Sequence, residues 1–414
     1  MKYAILTFGC RVNQADSLAI EGDLRARGGT DVPAEQADLV VVNTCSVTAN
    51  ADQAARQTIR RIVKSNPSVK VVVTGCYATR RPDDVAALPN VIRVVPNADK
   101  DDLVSRAGPD VWTGHTTVER FGDGDGACGE ALAPGVAGRT AMTLRVQTGC
   151  GQACSYCIIP TTRGASRSKP LASVLADVSR AVAAGYKEIA ITGVHLGSYG
   201  RDLTEPSTLA ELVSALATWP DDVLFRISSL EPMDCTPEIV DLVASSSRLA
   251  PHFHLPLQHG SDQMLQAMRR PYTAAWYRSL VEGIRALMPH ASIGSDVIVG
   301  FPGETDTHFE ETRALLVDLP LSRLHVFPYS DRPGTEASAI VPKVDGTATR
   351  ERGRVLRAIG ADKSRRFRDS QIGSVRRALV VDDGWSAVTD NYLKLRLESQ
   401  HPRNHFVTVT IPPA

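Results

Sequence analysis

Cys150, Cys154 and Cys157 stand in the run TGCGQACSYCIIP with Cys-x3-Cys-x2-Cys spacing, after a strand-like segment and before Pro160. Three thiolates this close in sequence can reach one metal centre from a single loop. Soft sulfur donors select zinc or an iron–sulfur cluster. A structural zinc normally takes four protein ligands, and no Cys or His lies in the dozen residues after Cys157. Three thiolates on a four-iron cluster would instead leave one iron open to a substrate.

A second group is dispersed. Cys10, Cys45 and Cys76 occur in the settings LTFGC, VVNTC and VVTGC, each just after a strand-like run. In a parallel sheet those strand ends share one edge, where open α/β proteins bind their ligands. Two readings are open: buried apolar cysteines, which are common at strand ends, or a second three-thiolate cluster with its own open iron. Cys128 and Cys235 fall outside both groups and take no assigned role.

These residues require a frame, and the alternation of patterns supplies one. Strand-like runs at 3–7, 39–43, 69–74 and 91–95 are separated by helical patterns such as 17–27 and 52–64. That alternation predicts a parallel sheet with helices on its faces over residues 1–121. Residues 122–138, rich in Gly and Ala without a period, read as a linker. From 139 to 368, strand-like runs at 143–148, 188–192, 224–228, 252–257, 292–299 and 323–328 precede helical stretches such as 170–184 and 305–316. Six such units predict a partial (β/α)6 barrel, whose ligands gather at the C-terminal strand ends. Gly193, Glu231 and the GFPGE turn at 300–304 fall at such ends, as do His254 and His259, for which a packed or hydrogen-bonded role is the simpler reading. Short β-prone runs at 377–382, 386–389, 392–397 and 405–411 predict a small antiparallel module over 369–414.

Composition narrows the setting. A chain of 414 residues calls for two or three domains, and 43% apolar with 22% charged residues is ordinary for a packed soluble protein. The N-terminus does not read as a signal peptide, and no uncharged apolar run reaches the ~18–20 residues that span a bilayer. The expectation is a cytoplasmic protein without membrane contact, whose eight cysteines stay reduced. Lys plus Arg equals Asp plus Glu at 46 each, so bulk charge names no partner. Residues 350–377, however, hold ten basic side chains against Glu351, Asp362 and Asp369. Such a stretch suits a phosphate backbone or forms a solvated, arginine-rich helix face.

With both cysteine groups placed, the chain resembles the radical S-adenosylmethionine methylthiotransferases along nearly its whole length. The resemblance is carried by FGCRVNQADS, NTCSVTANAD, TGCGQACSYCIIPTTRG, ITGVHLGSYG, HFHLPLQHGSD, DVIVGFPGET and HVFPYSDRPGT, in the family's order. His259 stands where the family more often has Ser. The resemblance implies an N-terminal methylthiotransferase domain, a radical barrel and a C-terminal TRAM-like RNA-binding domain. It implies two [4Fe-4S] clusters: one on Cys150, Cys154 and Cys157, whose open iron takes S-adenosylmethionine, and an auxiliary one on Cys10, Cys45 and Cys76. Tyr156, Gly193 and Glu231 are expected to line the S-adenosylmethionine site, and no proton-handling side chain is assigned.

RVNQ after Cys10 and SVTANAD after Cys45 are most similar to the branch that methylthiolates C2 of threonylcarbamoyladenosine at position 37 of tRNA. The implied partners are the tRNA anticodon stem-loop and an electron-donor protein, with the chain acting as a monomer. Three alternatives stand beside this: the isopentenyladenosine branch, a radical enzyme using its second cluster for electron transfer only, and a non-catalytic RNA-binding iron–sulfur protein.

Overall fold

The computed structural model describes residues 1–108, 134 and 140–413. The expected linker 122–138, apart from Pro134, lies outside the described residues, as does Cys128. The polypeptide packs as two bodies: the N-terminal residues together with Gln147–Gln152 and Cys157–Lys169, and the remainder, which takes in Ala153–Tyr156 and Pro170 onward.

In the first body, β1 (Lys2–Thr7), β2 (Thr30–Asp31), β3 (Leu39–Thr44), β4 (Lys70–Gly75) and β5 (Val91–Val95) form a parallel sheet in the order β2-β1-β3-β4-β5. The valine-rich β3 is buried along its whole length, as a central parallel strand covered on both faces must be. Its alternate residues serve opposite faces. Val40 and Val42 pack with Ile59 and Ile62 of helix α2 (Ala49–Ser65), whereas Leu39 and Val41 pack with Ile20 and Leu24 of α1 (Arg11–Ala26). Helix α1 starts at Arg11 rather than at the expected residue 17, because Cys10 already occupies its N-cap. Thr48 caps α2 by accepting the Ala51 N–H at 3.3 Å. A further antiparallel pair, β7 (Gln147–Thr148) with β8 (Arg167–Ser168), belongs to this body.

The second body is built on six parallel strands in two triplets. β6 (Met142–Arg145), β9 (Glu188–Thr192) and β10 (Leu224–Ile227) run in the order β10-β9-β6. β11 (His252–His254), β12 (Ser292–Val299) and β13 (Arg323–Pro328) form the other. Parallel bridges Phe225↔Leu249 and Ser229↔His254 join them into one curved wall. The first strand is shorter than expected, because Gln147 and Thr148 leave it to pair with Ser168 and Arg167. One large core, from Leu144 and Val174 through Ile293 and Leu316 to Leu356, fills the space between strands and outer helices.

The C-terminal module is a four-stranded antiparallel sheet of β14 (Val375–Val381), β15 (Ser386–Thr389), β16 (Lys394–Arg396) and β17 (Phe406–Thr410), in the order β16-β15-β14-β17. It docks at the N-terminal ends of the barrel strands. Arg226, buried in β10, grips Glu188 through Nε at 3.0 Å and Nη2 at 3.2 Å, and donates from Nη1 to Asp390 O at 3.0 Å. Tyr392 packs at a tilt against His252, with ring centroids 4.5 Å apart. Among the described residues, no helix is long and apolar enough to cross a membrane.

Candidate metal centres

Strands β1, β3 and β4 are neighbours, with Thr7 beside Asn43 and Thr44 beside Gly75 in register. Their continuations place Cys10, Cys45 and Cys76 along one sheet edge. Two glycines make the approach possible. Gly9 has φ +93°, and a Cβ there would lie 2.6 Å from Cys45 Sγ. Gly75 has φ +99°, and its Cβ would lie 2.2 Å from Thr44 O. The Gly-Cys dipeptides at 9–10 and 75–76 are therefore fixed by the close passage of adjacent strand ends.

Cys45 and Cys76 are buried, and Cys10 is exposed at the N-cap of α1. Burial pushes the Cys45 thiol up to about 11, against the Val47 N–H that donates to its Sγ at 3.5 Å. Cys10 and Cys76 are near enough to push it further in the same direction. Asn97 Nδ2 donates to Cys76 Sγ at 3.6 Å. Three thiols on one sheet edge, with N–H donors aimed at the sulfurs of Cys45 and Cys76, fit a thiophilic metal group that would take them as thiolates.

The Cys150 loop is anchored at its base in the first body. Gln147 Nε2 donates to Thr148 O, Gly149 O and Ser166 Oγ at 2.8–2.9 Å, and the Cys150 N–H donates to Gly164 O at 3.0 Å. Gly149, φ +74°, passes so close to Ala165 that a Cβ would stand 1.8 Å from its carbonyl oxygen. The Gln152 N–H points at Cys150 Sγ from 3.4 Å.

In the second body, Cys154, Ser155 and Tyr156 are held by the Asp262–Ala267 helix and the residues just after it. The Ser155 N–H donates to Met268 O at 3.2 Å, and Ser155 Oγ donates to Ala267 O at 2.7 Å. Tyr156 packs on Met264, Met268, Phe301 and Ala337. Arg270 is the centre of this corner, and sequence reasoning missed it. Its Nη1 donates to Cys154 Sγ at 3.3 Å, its Nε to Tyr272 Oη at 3.0 Å, and its Nη2 to Glu231 Oε2. Burial opposes the charge on Arg270, but Glu231, Tyr156, Tyr272 and Cys154 together more than offset it and hold the guanidinium cationic. The structure thus joins Glu231 to Cys154 through one arginine. Gly193 directly follows β9 at the same strand end.

The barrel histidines divide. His259 is 1% exposed; its Nδ1 accepts the Ser261 N–H at 3.1 Å and faces Thr312 Oγ1 at 3.0 Å. Burial depresses it to about 3, so it is a neutral packing residue. His195 holds Asp234 at 2.8 Å, tying the turn after β9 to that after β10. His254 Nε2 meets Asp296 Oδ1 at 3.0 Å, and with His325 they put three potential ligand atoms within 4.8 Å of one another on β11, β12 and β13. The glutamate of the GFPGE turn is a clamp: Glu304 accepts the N–H groups of Gly300 and Phe301 and pairs with Arg352 at 3.2 Å.

Comparison with known proteins gives the family. Residues 144–316 match the radical SAM superfamily, and residues 2–96 match the family described as "Uncharacterized protein family UPF0004". The fold is also that of a radical S-adenosylmethionine methyltransferase, TsrM, from Kitasatospora setae, with a TM-score of 0.57 at 16% identity over 81% of this chain and 75% of that one. The barrel is thus that of a radical S-adenosylmethionine enzyme. The threonylcarbamoyladenosine tRNA methylthiotransferase of Aquifex aeolicus is 36% identical over 99% of this chain and all of its own length. That of Rickettsia prowazekii is 35% identical over 96% of this chain and 92% of its own. The tRNA-2-methylthio-N(6)-dimethylallyladenosine synthase of Burkholderia thailandensis is 31% identical over 97% and 90%. The chain belongs to the radical S-adenosylmethionine methylthiotransferase family, in the branch of the threonylcarbamoyladenosine relatives.

Proposed function

We propose that this chain replaces the C2–H of N6-threonylcarbamoyladenosine, at position 37 of tRNA, by a methylthio group. The observation that carries the reading is the pair of thiol groups: a dispersed triad at one sheet edge and the Cys-x3-Cys-x2-Cys run of Cys150, Cys154 and Cys157. Cys150, Cys154 and Cys157 would hold one [4Fe-4S] cluster, and Cys10, Cys45 and Cys76 an auxiliary one. Bound there, the clusters and S-adenosylmethionine supply the one-electron reduction, the carbon radical, the sulfur and the methyl group that an unactivated C–H bond demands.

The chain's own residues bind and orient. Arg270 keeps a fixed positive charge beside Cys154, and Glu231 is held by that same guanidinium. Arg270 and Glu231 would offer the carboxylate and amino groups of S-adenosylmethionine partners of opposite charge, with Tyr156 and Gly193 as further lining. The apolar seat of Tyr156 on Met264, Met268 and Phe301 keeps water from that side of the loop.

The tRNA is engaged, in this reading, by exposed arginines of the helix Gly346–Ser370 and by the C-terminal module, which takes the TRAM-like role. The basic stretch is not uniform. Arg352 and Lys363 are buried, the latter donating to Val317 O at 3.1 Å and Leu319 O at 2.6 Å, whereas Arg357, Arg365 and Arg366 are exposed. An electron-donor protein, a monomeric chain and a cytoplasmic setting complete the proposal.

The test is mass spectrometry of tRNA nucleosides from cells lacking the gene. Methylthio-threonylcarbamoyladenosine should disappear, return with the wild-type gene, and stay absent with Cys76→Ala. An unchanged level in the deletion strain contradicts the reading, and loss of the dimethylallyl product instead moves the chain to the other branch.

A further inference from the structure

Beneath the N-terminal cysteine triad lies a buried charge cluster that the reaction as proposed does not use. Lys100 Nζ and Arg163 Nη2 both donate to Asp16 Oδ2, at 2.9 and 3.1 Å. None of the three side chains is more than 2% exposed. Two basic side chains share one carboxylate where solvent does not screen them, more positive capacity than a single carboxylate balances. Burying uncompensated charge is costly, and a structural ion group of this kind is replaceable by apolar side chains. An anion seated next to it would supply the missing balance.

The cluster connects to all three cysteine turns. Asn13 Oδ1 accepts from Arg163 Nη2, while Asn13 Nδ2 donates to Phe8 O at 2.8 Å and Thr44 O at 2.9 Å, the carbonyls that lead into Gly9-Cys10 and Cys45. Asn43, two residues before Cys45, accepts from Lys100 Nζ at 3.0 Å. Asn97 Nδ2 reaches Cys76 Sγ and also donates to Thr162 O, next to Arg163, at 2.9 Å. Both groups feel the thiols: burial, with Asp16 opposing and the Arg163 charge adding to it, lowers Lys100 toward the neutral amine, and Cys76 works against that shift without cancelling it. Arg163 is held charged against its own burial by Asp16, Cys76 and Cys10.

We propose that Arg163, Lys100 and Asn97 are positioning residues that form the electrostatic seat of the auxiliary cluster and raise its reduction potential. This rests on the reading that Cys10, Cys45 and Cys76 hold a four-iron cluster. Reduction adds one electron, and so one negative charge, to a group already anionic through its thiolates. Fixed positive charge and N–H donors close to the sulfurs favour that reduced state. Asp16 works the other way, which makes the sign of each substitution specific.

The test uses the full chain carrying Cys150→Ala, Cys154→Ala and Cys157→Ala, so that only the N-terminal site can hold a cluster. After anaerobic reconstitution, a potentiometric titration followed by electron paramagnetic resonance gives the midpoint potential. Arg163→Met and Lys100→Met should each make reduction about tenfold less favourable, a fall of ~59 mV for a one-electron couple. Arg163→Lys should retain most of the parent value, and Asp16→Asn should move it upward. Asn97→Leu, which leaves the charges in place, should lower it by less and covers the case in which a charge variant does not fold.

Potentials that stay at the parent value in variants that load iron and keep the parent circular dichroism overturn the seat, because a structural ion group would behave that way. So does a shift of one sign for Arg163→Met and Asp16→Asn alike. Absence of iron in the triple-alanine parent removes the cluster reading itself, and is seen before any seat variant is made.

Discussion

Cys150, Cys154 and Cys157 arise from one loop, whereas Cys10, Cys45 and Cys76 arrive at one edge from three neighbouring strands. The loop has a local base, with a glycine at φ +74°, one short antiparallel pair and a turn closed by Gly164, while Cys154 and Ser155 are held by Arg270, Ala267 and Met268 from far along the chain. The dispersed site needs the whole sheet to be in register before its thiols meet. A loop can move its ligands with its anchors, but a sheet edge holds them by the fold of the entire body. The first arrangement suits a centre that must receive and release a small molecule, and the second a centre whose environment is fixed.

The sharpest way to break this comparison is to remove one thiol from each site. Cys154→Ala should lower formation of 5′-deoxyadenosine from S-adenosylmethionine by about 1000-fold or more, since ligand loss disables a cluster outright. Cys76→Ala should leave that cleavage within a few-fold while abolishing the methylthio product, both read by liquid chromatography of the reaction mixture. Equal loss of cleavage in the two variants would mean that the sites do not divide the work. Next in size is Arg270→Met, which takes from the Cys154 corner a buried charge bonded directly to sulfur. A fall in cleavage of roughly 10–100-fold is expected, with the barrel still folded.

Sequence and structure agree where the signal is local. The spacing of the Cys150 loop, the six barrel strands and the valine-rich β3 and β4 are all legible in short windows. The N-terminal triad is readable because each cysteine follows a strand, and two of them follow a glycine that the strand approach requires. The features hidden from the sequence depend on contact over distance. Lys100 and Arg163 meet Asp16 from 84 and 147 residues away, and nothing in the sequence around either marks it as buried. Arg270 lies in an ordinary MRRPY run and gains meaning only from Glu231 and Cys154. The departure of Gln147–Thr148 from the first barrel strand is equally hidden, because its partner is Arg167–Ser168 beyond the loop.

Two smaller effects sharpen the contrast between fixed edge and ordinary turn. Gly75→Ala should cost about 3 kcal/mol or more, because a left-handed φ is joined by a Cβ 2.2 Å from Thr44 O. Gly303→Ala, at φ +82° with nothing within 4 Å, should cost about 1 kcal/mol. Denaturant midpoints of the two variants give the comparison directly. In the basic helix, neutralising Arg357, Arg365 and Arg366 should weaken tRNA binding and flatten its salt dependence, without loss of stability. Arg352→Met should do the reverse, because its partners Glu304 and Asp306 lose their cation. A salt slope unchanged by the three exposed substitutions would make that helix an ordinary solvated face.

The proposal that two separate three-thiolate sites each hold a four-iron cluster reduces to a count. Iron per chain is measured after anaerobic reconstitution of the wild type and of the two triple-alanine variants, one for each site. Roughly eight irons are predicted in the wild type and roughly four in each variant. Roughly four irons in the wild type, unaltered when Cys10, Cys45 and Cys76 are replaced, would contradict the two-cluster reading.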